Sequence, residues 1–198
     1  MSSVENNQIV IVTGLPRSGT SMMMKMLEAG GVCPLCDGQR TADSDNPNGY
    51  YEFEPVKQTR HDASWLNAAA GKAVKMVYSL LYDLPTDRHY DVIFMRRDLT
   101  EILASQNRML HNMDIASAVD DQRMAGLFER EINRFQQWLA KVSHVNSIEV
   151  PYNDVASGCA TPINSINEQL GGRLDVSAML SVVDPALYRN RSAASAAA

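Results

Sequence analysis

The sequence lacks three features that would each assign it to a class of protein. Its three cysteines in 198 residues are too few for the disulfide framework of a small secreted protein. No apolar run approaches the ~18 residues of a membrane-spanning helix, and no apolar segment follows a basic N-terminus as in a signal peptide. Positive charge is in deficit, because 18 Lys and Arg face 23 Asp and Glu, a formal net charge of −5. We therefore expect a cytoplasmic protein without a membrane span or a nucleic-acid partner.

A fourth absence concerns one residue of a glycine-spaced turn. Gly14 and Gly19 have the spacing of a phosphate-binding loop, in which a lysine and then a serine or threonine follow the second glycine. Thr20 occupies the position of that lysine, which normally reaches the outer phosphates of a nucleoside triphosphate. Arg17 offers a cation from inside the turn instead. The loop is therefore predicted to hold a phosphate ester other than a simple triphosphate.

The segments on either side of this loop favour phosphate binding. Residues 9–12, IVIV, are typical of a strand buried in a parallel sheet, and residues 20–29 predict a helix that stops at a Gly-Gly pair. Such a helix directs its unpaired N-terminal amides, and the positive end of its dipole, at whatever the loop holds. The alternative interpretation is an ordinary strand-turn-helix connection that needs glycine only for a tight turn.

Strand and helix patterns alternate along the rest of the chain. They predict an α/β fold with three layers, α/β/α, around a central, mainly parallel sheet. Residues 33–55 are rich in Asp, Asn, Gly and Pro and are predicted to form a long loop. We expect one domain over residues 1–191 and a disordered, low-complexity tail over 192–198. Further strands are predicted at 73–78, 91–95 and 147–150, and helices at 58–70, 100–112, 121–142, 161–170 and 175–183.

Several polar residues stand at the predicted carboxyl ends of the strands. They are the loop at 14–21, residues 75–79 with Lys75, the pair Arg96 and Arg97, and Tyr152. Ligands of open α/β sheets bind beyond the carboxyl ends of the strands. These residues are therefore expected to converge on one crevice.

Three segments resemble the motifs of sulfotransferases that use 3′-phosphoadenosine 5′-phosphosulfate (PAPS), in particular bacterial sulfotransferase-like P-loop proteins. Residues 15–21, LPRSGTS, resemble the 5′-phosphosulfate loop, P-[KR]-S-G-T-[ST], and residues 94–105, FMRRDLTEILAS, resemble the 3′-phosphate motif. Residues 150–155, VPYNDV, resemble a later strand-end segment whose tyrosine lies near the adenine. The match spans residues 8 to about 155 and implies a P-loop NTPase-like sulfotransferase fold.

The resemblance implies a role for each matching residue. A set of six loop residues would bind the 5′-phosphosulfate. Arg97 and Ser105 would bind the 3′-phosphate. Tyr152 would lie near the adenine, and Arg189 or Arg191 of a late basic segment could close the 3′-phosphate site. Arg97 and Ser105 also make chemical sense, because a nucleotide with phosphates at both ends of its nucleoside needs a second anchor. The loop set is Pro16, Arg17, Ser18, Gly19, Thr20 and Ser21.

The implied reaction moves a sulfuryl group from PAPS to a hydroxyl or amine of a small-molecule or carbohydrate acceptor. The nucleotide product is 3′,5′-adenosine bisphosphate, and the family requires no metal. Arg17 would neutralise charge that develops on the leaving group. Lys75 matches the lysine of a Lys-x-His segment in cytosolic members, where it stabilises charge around the transferring group.

The chain departs from the family where Val77 stands at the position of the histidine base. Valine cannot accept a proton, so the base must come from elsewhere. Residues 46–52, NPNGYYE, resemble the N-P-x-G-[YF]-[WY]-E segment of bacterial relatives, which makes Glu52 the first candidate. Glu54, Asp43 and His61 are the other candidates. Burial that raises a carboxyl pKa toward the working pH would suit any of the carboxylates to this role.

Two other functions are compatible with the sequence. A P-loop kinase or nucleotide hydrolase would use Mg-ATP, with Arg17 in place of the lysine and Asp98 as a metal-binding carboxylate. A non-catalytic binder of adenosine bisphosphate would explain Val77. Cys33 and Cys36 have redox-motif spacing but follow a helix stop instead of starting a helix, so they are interpreted as incidental thiols.

Overall fold

The computed structural model describes residues 8–43, 46, 49–112 and 120–188. In these ranges, four strands form one sheet in the order β2-β1-β3-β4, and every neighbouring pair is parallel. The α/β fold with a parallel sheet is therefore confirmed. The strands are β1 Ile9–Gly14, β2 Ala73–Lys75, β3 Tyr90–Arg96 and β4 Val145–Pro151.

Helices cover the two faces of this sheet. The longest, α3, packs an apolar face against the sheet, and Asp120 caps it by accepting hydrogen bonds from the amides of Gln122 and Arg123. The α-helices are α1 Thr20–Ala29, α2 Leu99–Asn112, α3 Asp121–Leu139, α4 Tyr152–Ala156, α5 Thr161–Gln169 and α6 Val176–Ser181. Short 3₁₀ helices lie at Glu54–Gln58, Ser64–Asn67, Tyr78–Asp83 and Pro185–Leu187.

Alternate residues of the strands feed two hydrophobic clusters. In β1, Val10 and Val12 join a cluster with residues of α1, α5 and α6, whereas Ile9 and Ile11 join a cluster with residues of α2 and α3. All four side chains are at most 2% exposed. Because successive side chains of a strand point to opposite faces, β1 is covered on both sides, as its continuous apolar sequence predicts.

The strand order places a crevice at the carboxyl end of β1. The chain leaves β1 to form β2 on one side of it and then returns to form β3 on the other side. The connections therefore diverge between β1 and β3, which is the position where open α/β sheets bind ligands. The loop after β1 and the residues after β3 meet at this point.

The predicted helix at 58–70 is wrong. The chain forms two short 3₁₀ helices in this region, Glu54–Gln58 and Ser64–Asn67. Between them, the Asp62 carboxylate accepts a hydrogen bond from the Ser64 amide at 2.8 Å. In a continuous helix the Ser64 amide would have bonded to a backbone carbonyl. Because it bonds to the Asp62 side chain instead, the helix is interrupted.

Other differences are smaller. β2 ends at Lys75, three residues before its predicted end, because the chain turns into the 3₁₀ helix Tyr78–Asp83. The five-residue helix α4 was not predicted, since it is too short to show a periodicity. Asp98 caps α2 by accepting a hydrogen bond from the Thr100 amide at 2.8 Å.

Residues 189–198 lie outside the described residues, so the division into a domain over 1–191 and a tail over 192–198 stays a prediction. Where the structure describes the chain, no helix combines the length and apolar character needed to cross a membrane.

Candidate active site

Both glycines of the loop after β1 are required by close contacts. A Cβ on Gly19 would lie 2.3 Å from Cδ2 of Tyr152, and Gly19 has a φ of 96°, in the left-handed region. A Cβ on Gly14 would lie 2.4 Å from Oγ of Ser18 and 2.7 Å from the carbonyl oxygen of Met95. The loop thus packs against β3 and α4 so closely that a methyl group would displace it.

The loop uses some of its polar groups internally and presents others. The Ser18 amide donates to the carbonyl of Leu15 at 3.2 Å, and the buried Ser18 hydroxyl has no hydrogen-bond partner among the described residues. Thr20 and Ser21 begin α1, so their amides have no acceptor within the helix. The amides that can hold an anion are therefore those at the start of α1.

Arg97 and Ser105, which follow β3, lie directly against the loop. Nε of Arg17 donates to Oγ of Ser105 at 3.0 Å, and Nη1 of Arg97 donates to the carbonyl of Arg17 at 3.1 Å. Arg17 has a φ of 69°, an uncommon value for a residue with a side chain. The two predicted phosphate motifs meet here through residues that are 80 and 88 positions apart in sequence.

Arg97 belongs to a buried network. Its Nε donates to the Glu101 carboxylate at 3.0 Å, and the two side chains are only 7% and 1% exposed. The other Glu101 oxygen accepts from the hydroxyl of Tyr188 at 2.8 Å. The guanidinium also stands over two rings, 4.3 Å from the centroid of Tyr152 and 5.7 Å from that of Tyr188. These contacts fix the orientation of Arg97 and satisfy Glu101.

Lys75 closes the site on the β2 side. Its Nζ donates to the carbonyl of Tyr50, which belongs to the long loop between α1 and the first 3₁₀ helix. Burial of the ammonium lowers the pKa of Lys75 to about 8, an effect that the nearby Glu52 carboxylate opposes. Lys75 is therefore a cation in a largely desolvated position near neutral pH.

The long loop brings Glu52 to the same site. Glu52 pairs with Arg40 at 3.0 Å, and the Arg40 guanidinium stacks on the ring of Tyr50, 3.4 Å from its centroid. Asn46 ties the loop to α1 by donating to Oγ of Ser21 at 2.9 Å. The loop thus lies over the start of α1 and carries Glu52 with it.

These residues surround a cavity of about 860 Å³. Although the whole chain is acidic, among the described residues six Lys and Arg side chains line this cavity and only two carboxylates do. This charge distribution favours a multiply charged anion. The six cations are Arg17, Arg40, Lys57, Lys75, Arg97 and Arg108, and the carboxylates are Glu52 and Asp184.

Most of the sequence-predicted residues line this cavity, namely Pro16, Arg17, Gly19, Thr20, Ser21, Glu52, Lys75, Arg97, Ser105 and Tyr152. Ser18 lies behind the loop, where it is fully buried. Arg189 falls outside the described residues. The roles assigned to these residues stay predictions.

The other candidate bases do not line the cavity. Glu54 pairs with Lys57 at 2.5 Å, and the Asp43 carboxylate accepts a hydrogen bond from the Tyr50 hydroxyl at 2.7 Å. His61 is exposed. Glu52 is therefore the one of the four named candidates that reaches the cavity. Val77, at the position of the family histidine, lines it as well.

Several site residues were missed by sequence reasoning. Glu101 stands four residues after Arg97, a spacing that pairs side chains on a helix, and this signal could have found it. Arg40, Arg108 and Tyr188 carry no such signal, because only the fold brings them to the cavity or to Arg97. In the described part of the chain, no group of three or more His, Cys, Asp or Glu side chains is placed to hold a metal ion.

Comparison with known proteins places the fold. No protein-family model matches the chain, and no curated protein matches it in sequence. The sulfotransferase domain of the olefin synthase of Synechococcus PCC 7002 is similar in structure, with a TM-score of 0.56 and 15% identity over 96% of this chain and 90% of that chain. The sulfotransferase domain of the curacin biosynthetic pathway gives a TM-score of 0.51 and 11% identity over 94% and 92%. The chain therefore has the fold of sulfotransferase domains.

Proposed function

We propose that the protein is a sulfotransferase that moves a sulfuryl group from PAPS to a hydroxyl or amine. The observation that carries the proposal is the meeting of the loop after β1 with Arg97 and Ser105 in one cation-lined cavity. A nucleotide with phosphate groups at its 5′ and 3′ positions needs two anion sites on either side of one nucleoside. The likeness in fold to sulfotransferase domains supports the same conclusion.

The 5′-phosphate would be held by the amides at the start of α1 and by the hydroxyls of Thr20 and Ser21. Arg17 would neutralise charge on the leaving group. The 3′-phosphate would accept from Arg97 and Ser105. Glu101 accepts a hydrogen bond from Nε of Arg97 and so fixes the orientation of the guanidinium. The directions of the other N–H groups of Arg97 are thereby fixed as well.

PAPS supplies an activated sulfuryl group whose bond to the 5′-phosphate oxygen breaks as a bond from sulfur to the acceptor oxygen or nitrogen forms. Glu52 would take the proton that the acceptor loses. Lys75 would stabilise negative charge at the transferring group, where its desolvated position strengthens the interaction. Glu52 is paired with Arg40 in this structure. We therefore expect both side chains to shift when the acceptor binds and Glu52 takes its proton.

Calorimetry tests the donor site. We expect 3′,5′-adenosine bisphosphate to bind at least tenfold more tightly than AMP, because only the bisphosphate reaches Arg97 and Ser105. Arg97→Ala should abolish this preference, whereas Arg96→Ala, at the neighbouring position, should retain it. Equal affinity for the two nucleotides in the unmodified protein would contradict the proposal.

Turnover tests the base. With PAPS and a mixed pool of alcohols and amines, Glu52→Gln should lower the release of bisphosphate by roughly 10²- to 10⁴-fold, the usual loss for a missing general base. Glu54→Gln serves as the matched control and should have little effect, since Glu54 does not line the cavity and pairs with Lys57. Full turnover by Glu52→Gln would mean that another residue is the base. If the unmodified protein turns over no acceptor in the pool, a non-catalytic binder would be favoured.

A further inference from the structure

One wall of the cavity differs in character from the cation-lined part. It is built from the first 3₁₀ helix, the chain after β2, and the facing sides of α2 and α3. Eight apolar side chains from these elements line the cavity, three of them methionines. They are Phe53, Val56, Met76, Val77, Leu80, Met109, Met124 and Phe128.

This wall is an extension of one hydrophobic cluster. Val56 and Met76 are buried members of the cluster on the α2–α3 face of the sheet, and Phe53, Leu80 and Phe128 pack against it. Tyr152 is a buried member of the cluster on the other face, and Met22 of α1 packs against that cluster. The apolar wall and the α1 end of the phosphate loop thus lie on opposite faces of the sheet.

Val77 is the clearest sign that the wall is built for a ligand. It is 50% exposed, and only it and Leu127 are exposed large hydrophobic residues in the described part of the chain. Val77 follows Lys75 by two residues and lines the cavity, whereas Leu127 does not. An apolar side chain kept exposed beside a functional cation is stabilised when an apolar ligand covers it.

The wall offers few partners for a polar ligand. Among the described residues of its segments, the lining side chains with polar groups are Lys57, Ser105, Gln106 and Arg108. The Ser105 hydroxyl already accepts a hydrogen bond from Arg17. Lys57 is paired with Glu54. A sugar carries several hydroxyls, and each hydroxyl placed against apolar surface without a hydrogen bond loses its bonds to water without replacement. A pocket with this lining selects against carbohydrates.

We propose that this wall binds the apolar body of the acceptor, so that the acceptor is an alcohol carried on an alkyl chain or aromatic ring and not a sugar. The proposal rests on the proposed function for the identity of the reaction, but the apolar subsite itself does not. The three methionines suit such a site, because their flexible thioether side chains adapt to ligands of different shape. Lys75 and Glu52 lie where the hydroxyl of the alcohol would be presented.

Binding of simple alcohols to the full chain tests the subsite. We would measure the affinities of 1-octanol, 3-phenylpropanol and glucose by calorimetry, with and without 3′,5′-adenosine bisphosphate. The two apolar alcohols should bind at least tenfold more tightly than glucose. Val77→Asp should weaken their binding roughly tenfold or more, because a carboxylate would replace an apolar contact. Leu127→Asp is the matched control and should leave it unchanged.

A second variant guards against an effect of Val77→Asp on folding. Met109→Gln keeps the length of the side chain, adds an amide at another position of the wall, and should also weaken octanol binding. Tighter binding of glucose than of octanol, or equal loss in Val77→Asp and Leu127→Asp, would overturn the proposal.

The apolar subsite and the proposed function can each fail without the other, and the measurements distinguish the two cases. Octanol binding that depends on Val77, in a protein that does not prefer the bisphosphate to AMP, would support the apolar subsite and contradict the sulfotransferase. Transfer from PAPS to glucose but not to octanol would do the reverse.

Discussion

Gly19 lies where the loop after β1 touches the ring of Tyr152, so a substitution at Gly19 tests how tightly this loop is packed. Gly19→Ala combines two costs, a side chain at a positive φ and a Cβ 2.3 Å from the ring. We expect it to lower the free energy of unfolding by about 3 kcal/mol or more and to abolish nucleotide binding.

Gly31→Ala is the control for Gly19→Ala. Gly31 has a φ of 99°, and a Cβ there would meet no atom within 4 Å. It should therefore show the backbone cost alone, about 1 kcal/mol, with nucleotide binding retained. Urea unfolding of both variants measures the difference, and equal losses would mean that the contact with Tyr152 is not limiting.

The lowered pKa of Lys75 predicts a pH limit on turnover. With a pKa of about 8, Lys75 loses its charge as the pH rises through 8, and turnover should fall over the same range. Lys75→Arg keeps a cation to far higher pH, so its alkaline limb should move upward by more than one pH unit, even if its maximum is lower. A pH-rate profile with unchanged limbs in Lys75→Arg would assign the limit to another group.

The same pKa has a consequence for stability. Because the folded pKa of Lys75 lies below its unfolded value of 10.5, the unfolded chain binds more protons between these two values, and the free energy of unfolding rises with pH in that window. Urea unfolding at pH 8 and 10 should show a smaller rise in Lys75→Met than in the unmodified protein.

Among the elements, the segment after α6 has a role beyond covering the core. It ends with Tyr188, whose hydroxyl donates to the buried Glu101 that orients Arg97. Tyr188→Phe should cost about 1.5–3 kcal/mol, as expected for the loss of a hydrogen bond to a charged group, and should weaken bisphosphate binding.

Tyr82→Phe is the matched control for Tyr188→Phe. The ring of Tyr82 packs on Phe135 and Trp138, but its buried hydroxyl has no hydrogen-bond partner among the described residues. Removing that hydroxyl should be neutral or slightly stabilising, with nucleotide binding unchanged. Thermal unfolding and calorimetry of the two variants would separate a positioning role of Tyr188 from a general sensitivity to loss of a hydroxyl.

The long loop is the other element whose role comes from its contacts. Asn46 bonds to Ser21 on α1, and the Tyr50 carbonyl accepts from Lys75. Asp37 ties the end of the loop by accepting from the Glu54 amide at 2.7 Å, and this bond lowers the pKa of the Asp37 carboxyl. The loop is thus attached to the site at several points.

At the scale of the whole molecule, the acidic chain concentrates positive charge in one cavity. Binding there stabilises the folded state as a whole, since a ligand that binds only the native protein adds about 2.7 kcal/mol at 100 times its dissociation constant. For a chain of this size, 3′,5′-adenosine bisphosphate should raise the melting temperature by roughly 5–10 °C.

The metal dependence of that shift distinguishes the two enzyme functions. A sulfotransferase should show the same shift in EDTA as in magnesium, whereas a kinase or hydrolase should respond to ATP and lose most of its shift in EDTA. Asp98, the carboxylate considered for magnesium, caps α2 through the Thr100 amide. A magnesium-dependent shift with ATP larger than that with the bisphosphate would favour the kinase.

The sequence by itself determined the parts that depend on neighbours along the chain. The run of β-branched residues predicted β1, the glycine spacing predicted the turn after it, and the alternation of patterns predicted the parallel sheet. These features are local, because propensity, period and turn geometry act over a few residues. The strand ends then indicated which polar residues would converge, since parallel strands end at one edge of the sheet.

Only the tertiary structure decided what depends on contacts between distant segments. It brought Glu52 and not Glu54 to the cavity, and it joined Tyr188 to the network of Arg97 through Glu101. It also gathered the apolar wall, whose residues are spread over four separate segments. Such contacts are set by the packing of whole elements, and the pattern of any single segment carries no record of which distant side chain it will meet.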